Sequence, residues 1–186
     1  MSIAVSAAPC GYCRQFLYEF EGRDDLIIIT PDHEPGGFRS GRLTEYLPWA
    51  FGPHDMKNET GLMASSKTRR ELVLRETSDD PLVLEALSAA SLSYAPYSKN
   101  FAGCVIQTSE GQVYAGRYAE NAAFNPSLPP IHVAISCMNM GNLIEGQKVI
   151  RVVLVEKPSG IEQRGATALL LRTLAPEIGI EYFEAA

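Results

Sequence analysis

A short pattern occurs twice in this chain and limits what it can fold into. Residues 153–160, closing on Pro158-Ser159-Gly160, run parallel to residues 5–11, closing on Pro9-Cys10-Gly11. Each time an apolar run leads through a proline into a helical stretch and then a second strand-like run. Elements that recur in one order point to a tandem repeat, so the fold is built from copies of one supersecondary unit.

The copies differ in completeness. Residues 3–7 read as the end of a strand, residues 13–20 as a helix with Phe16, Leu17 and Phe20 on its apolar side, and residues 26–29 as a β-branched run expected to be a strand buried on both faces. The second region opens at Asp80-Pro81, an N-cap followed by proline at the first helical position, with Val83, Leu87 and Ala90 on one face. Residues 101–108 and 112–118 read as strands joined across Ser109-Glu110-Gly111, residues 128–139 as a helix begun by Pro129-Pro130, residues 149–156 as a buried strand, residues 166–174 as a helix and residues 178–183 as a strand. The order is α-β-β-α-β-α-β, so the opening β-α-β is expected to be the remnant of a first copy that pairs only partly. The class is α/β, a mixed sheet flanked by helices.

Between the regions, residues 31–80 contain Pro35-Gly36-Gly37 and Gly52-Pro53 and read as connector. Within it, residues 43–51 carry enough apolar surface to dock, and Trp49 is expected to be the packing anchor.

The formal charge of −6 offers no basic field for a nucleic-acid backbone. No apolar run approaches the ~20 residues that span a bilayer, and the first residues lack a signal peptide's basic start, so the expected setting is the cytoplasm. Four cysteines in 186 residues do not make a disulfide scaffold. Cys104, in a strand, and Cys137, in a helix, are expected to be buried and inert. Cys10 and Cys13, three positions apart at a strand-to-helix turn, admit three chemistries: a metal half-site, a thiol–disulfide couple, or inert thiols.

Pro9-Cys10-Gly11-Tyr12-Cys13-Arg14-Gln15 resembles the second zinc motif of cytidine deaminases. Residues 94–98 (Tyr-Ala-Pro-Tyr-Ser), residues 118–126 (Tyr-Ala-Glu-Asn-Ala-Ala-Phe-Asn-Pro) and Leu128-Pro129-Pro130 are similar to the noncatalytic domain of the two-domain members of that family, and Phe51-Gly52-Pro53 resembles the segment leaving their catalytic domain. The resemblance implies a catalytic-domain remnant over 1–56, a linker over 57–79 and a noncatalytic cytidine deaminase-like domain over 80–186. The implied activity is a hydrolase reaction of pyrimidine salvage, zinc-dependent deamination of cytidine or deoxycytidine to uridine or deoxyuridine. There, one His and two Cys hold zinc, and the Glu of a His-x-Glu motif moves the proton during attack at the base.

The family places His-x-Glu before the paired cysteines, and only nine residues precede Cys10. None of His33, His54 and His132 has Glu two positions on, so each is expected to be an ordinary surface or packing residue. In the second copy Pro129-Pro130-Ile131 stands where His-Ala-Glu is expected, Ser159 where Cys10 stands and Glu162 about where Cys13 stands. The metal ligands implied are thus Cys10 and Cys13 alone, with the third ligand and the proton-shuttle Glu missing and zinc binding expected to be weak or absent. Arg14 is expected to donate to a cysteine sulfur, and Glu120, left from an Asn-x-Glu substrate pair, to be vestigial or structural. The expectation is a chain inactive alone, a cytidine-type nucleoside as the family's ligand, and a homo-oligomer, a dimer. A thiol–disulfide oxidoreductase using Cys10-Gly11-Tyr12-Cys13, or a noncatalytic assembly module, stands as the alternative.

Overall fold

The computed structural model describes residues 1–33, 36–64, 69–141 and 146–186. Of the connector, residues 34–35 and 65–68 therefore lie outside the described residues. The chain forms two compact units, Met1–Lys67 with Glu120–Ser127, and Thr68–Ala119 with Leu128–Ala186.

In the first unit, β1 (Ser2–Ala4) lies parallel to β2 (Ile27–Pro31), and α1 (Gly11–Leu17) joins them. The expected β-α-β is thus present. Sequence reading missed a third strand, β3 (Phe38–Arg42), which pairs antiparallel with β2 and runs into the one-turn helix α2 (Leu43–Tyr46). The sheet order is β1-β2-β3. Burial along β2 alternates, with Ile28 and Thr30 covered and Ile27 and Ile29 partly open, so only one face is closed rather than both. Leu17, Leu26, Ile28 and Leu43 form its small core, with Ile3, Val5, Tyr18, Phe20 and Tyr46 around them.

Trp49 does not anchor this core. Leu43 and Tyr46 take the inward side of α2, and three residues later the backbone turns left-handed at Trp49 (φ 57°), leaving the indole fully exposed.

The second unit follows the sequence reading closely. Asp80 Oδ1 accepts the Leu82 N–H (2.8 Å) and Pro81 opens α3 (Pro81–Ser91). Then come β4 (Ala102–Thr108), β5 (Val113–Arg117), α4 (Pro130–Met140), β6 (Val149–Glu156), α5 (Arg164–Leu174) and β7 (Ile180–Glu184). The sheet order is β5-β4-β6-β7, antiparallel except for the parallel pair β6–β7.

This order explains the unbroken apolar runs of β4 and β6. Val105, Val153 and Val155 pack against Val83, Ala86 and Ala90 of α3, while Cys104, Ile106, Val152 and Leu154 turn to Ile131 and Ala134 of α4 and Leu171 of α5. Both faces are covered, so alternation of polar and apolar residues is lost. Cys104 is fully buried, as expected, but Cys137 is half-buried because it lies toward the outer side of α4.

Candidate functional site

The thiol pair sits where β1 gives way to α1. Cys10, in extended conformation (φ −68°, ψ 173°), is the N-cap of α1: its Sγ accepts the Cys13 N–H at 3.5 Å. The two sulfurs lie 3.3 Å apart, unbonded, and both residues are exposed. The Cys13 backbone N–H, together with the Cys13 thiol, lowers the Cys10 pKa, because both stabilise a thiolate on Cys10. The same sulfur–sulfur contact raises that of Cys13.

Three side-chain bonds brace this turn. Arg14 Nε donates to Pro9 O (2.7 Å) and Nη1 to Tyr46 O (3.0 Å), with the guanidinium 5.9 Å from the Tyr46 ring centre. Neither bond reaches a sulfur: Arg14 fixes the backbone that presents Cys10. Gln15 Nε2 donates to Phe51 O at 2.6 Å. The Phe51-Gly52-Pro53 bend can hold that carbonyl there because Gly52 lies against Tyr18, where an added Cβ would come within 2.6 Å of the ring.

A zinc ion held by two thiolates at about 2.3 Å each in tetrahedral geometry needs the sulfurs roughly 3.8 Å apart, so a small side-chain rotation would admit it. The rest of the donor set does not follow. Among the described residues no three His, Cys, Asp or Glu side chains gather at one point, and His33, His54 and His132 are exposed. Two ligands of four do not close a metal centre, and the residues present do not fit the implied site.

In the second copy the corresponding corner, after β6 and at the start of α5, is filled with hydrogen bonds. The buried Glu156 accepts the Gln163 N–H (2.8 Å) and the Asn100 amide (3.3 Å), and Gln163 Nε2 donates to Asn100 Oδ1 (2.9 Å). Ser159, in the place of Cys10, is exposed and bonds locally to Ile161, and Glu162 is exposed. Tyr118 is buried against Ala95, Phe101 and Ala102, and Glu120 two residues later is buried as well.

Sequence reading missed the segment Glu120–Ser127 as a neighbour of the thiol helix. It belongs to the first unit, where Asn121 Nδ2 donates to Gln15 O (3.0 Å) and the Ala122 N–H to Glu19 Oε2 (2.9 Å). The polar run Glu120-Asn121 ahead of Ala122-Ala123 gave a signal for a loop, but nothing for its partner.

The family profile of the cytidine and deoxycytidylate deaminase zinc-binding region matches residues 43–168. A cytidine deaminase of Shewanella sp. (strain W3-18-1) is 44% identical over 176 residues, covering 94% of this chain and 56% of its own length. One from Shewanella woodyi is 42% identical over the same shares. The chain thus spans about half the length of the curated relatives it matches. The crystal structure of cytidine deaminase from Burkholderia pseudomallei aligns with a TM-score of 0.49 and 21% identity, over 59% of this chain and 92% of that one.

Proposed function

The chain belongs to the cytidine and deoxycytidylate deaminase family, and from that premise we propose that it carries the two-thiol half of a zinc-dependent nucleoside deaminase site and does not turn over cytidine alone. The observation behind this reading is the pair Cys10–Cys13 at the head of α1, with sulfurs 3.3 Å apart and no third ligand among the described residues.

In a completed site Cys10 and Cys13 would hold two positions on a zinc ion, and the chemistry it would supply is the lowered pKa of a water molecule. The residues of this chain have narrower tasks. Cys10 and Cys13 offer two sulfur ligands, Arg14 pins the Pro9 carbonyl so that Cys10 keeps its capping position, and Gln15 ties the helix to Phe51. Proton transfer needs a group within hydrogen-bond reach of the reacting atoms, and the His-x-Glu that supplies one in the family would have to come from polypeptide outside these residues. Glu120, buried at the end of the hairpin, acts structurally. The second unit acts in assembly, as the noncatalytic half of a cytoplasmic homodimer.

The test is direct. The purified chain, supplied with zinc and cytidine, should form no uridine by chromatography, and should retain less than one zinc per chain after gel filtration. Uridine production that disappears on Cys10→Ala would overturn the proposal.

A further inference from the structure

α1 has only seven residues, too short to persist by itself in water. Its last turn explains how it holds. Arg14 O receives the Tyr18 N–H, Phe16 O the Glu19 N–H and Leu17 O the Phe20 N–H. The Glu19 N–H, which would continue the helix onto Gln15 O, is therefore turned to Phe16 O, and the Gln15 carbonyl receives the Asn121 amide instead, from 106 positions away in sequence. Helix-end carbonyls left without a backbone donor need such a partner.

Beside it, the fully buried Glu19 accepts the Ala122 N–H at 2.9 Å, and its own carbonyl accepts the Leu62 N–H at 2.7 Å. Asn121 is itself held in place: its Oδ1 accepts the Ala123 N–H (3.0 Å) and its N–H donates to Ser127 Oγ (2.9 Å). The loop is thus a preformed side-chain cap, nine-tenths or more buried at Asn121, seated on the helix that carries the thiols.

The geometry points to Asn121 as a positioning residue for the Cys10–Cys13 pair, acting through the end of α1. It ends the helix, the helix fixes the Cys13 N–H, and that N–H fixes Cys10 Sγ. This holds whichever chemistry the thiols serve, so it stands apart from the deaminase reading.

The experiment uses the full chain and phenylarsine oxide, which bridges two neighbouring sulfurs. Asn121→Asp keeps the acceptor for Ala123 N–H but removes the donor to Gln15 O. Asn121→Ser can keep the turn and is too short to reach Gln15. Both should raise the dissociation constant of the arsenical, and speed amide exchange in residues 13–18, by roughly fivefold, about the weight of one ordinary hydrogen bond. Exchange in β4 and β6 should stay unchanged. Wild-type affinity, or wild-type exchange in α1, in whichever variant keeps β4 and β6 protected, would overturn the assignment.

Discussion

Gly103 lies directly beneath Ala86: a Cβ on that glycine would stand 2.3 Å from Ala86 O and 2.4 Å from Ala90 N. Gly116 has the same relation to α4, with 2.1 Å to Pro130 O. The obstructing atoms are helix backbone, so a methyl group can be admitted only by lifting the helix off the sheet. Gly103→Ala should cost about 1–3 kcal/mol, as overpacking does, measured as a fall in urea midpoint at constant slope. Gly160→Ala, where a Cβ meets nothing within 4 Å, is the control and should be near neutral. Equal midpoints for the two variants would contradict the close approach.

The first unit has a core of few residues, and Leu43, fully buried, joins α2 to Leu17, Leu26 and Ile28. Leu43→Ala should therefore cost about 2–5 kcal/mol. The loss should appear as faster amide exchange in β2 and α1. If β2 exchanges at the wild-type rate, the small core does not depend on Leu43 as the packing implies.

These two sites also show why one region was legible in the sequence and the other was not. In the second unit, hydrophobic period, a proline-led N-cap and a Gly-containing hairpin agree, and the observed elements match the expected ones to within two or three residues at their ends. The strand Phe38–Arg42 has no such signature. Phe-Arg-Ser-Gly-Arg is polar and mostly exposed, and it is a strand because β2 offers it an edge, a fact of tertiary structure. Trp49 misled for the opposite reason: its size argued for burial, while its left-handed backbone put it outside. Of the site, Cys10 and Cys13 were legible as a local motif. The roles of Tyr46 O, Phe51 O and Asn121 were not, because each is a contact between residues far apart in sequence and two of them are carbonyls that any residue could supply.

Arg151 on β6 reaches two carboxylates at once, with Nη2 2.7 Å from Asp80 Oδ2 and 2.6 Å from Glu181 Oε2, and Nε 2.7 Å from Glu181 Oε1. Hydrogen bonds from the guanidinium hold both carboxyl groups below their ordinary range. A carboxylate with a depressed folded-state pKa adds stability above its unfolded value, near 4, and that stability is lost as pH falls through the folded value. Arg151→Met should thus lower the melting temperature at pH 7. The gap to wild type should stay level down to about pH 5 and close in more acid solution. A gap independent of pH down to 2 would assign the loss to packing of the arginine stem.

The thiols should separate by pH. Cys10 is lowered by the Cys13 N–H and thiol, Cys13 is raised by its contact with Cys10, and burial pushes Cys104 up to about 12. Since the thiolate is the reactive form, iodoacetamide added to the reduced chain at rising pH should modify Cys10 first and Cys13 later, with Cys104 silent until the protein unfolds. Cys13→Ala removes the thiol donor but keeps the backbone N–H, so the Cys10 pKa should rise part of the way to its ordinary value and alkylation at pH 7 should slow. Peptide mapping by mass spectrometry gives both profiles. If Cys13 reacts before Cys10, the N-cap contact does not set the order of the pair; if Cys13→Ala leaves the Cys10 profile in place, the sulfur–sulfur contact adds nothing to the backbone N–H in lowering Cys10.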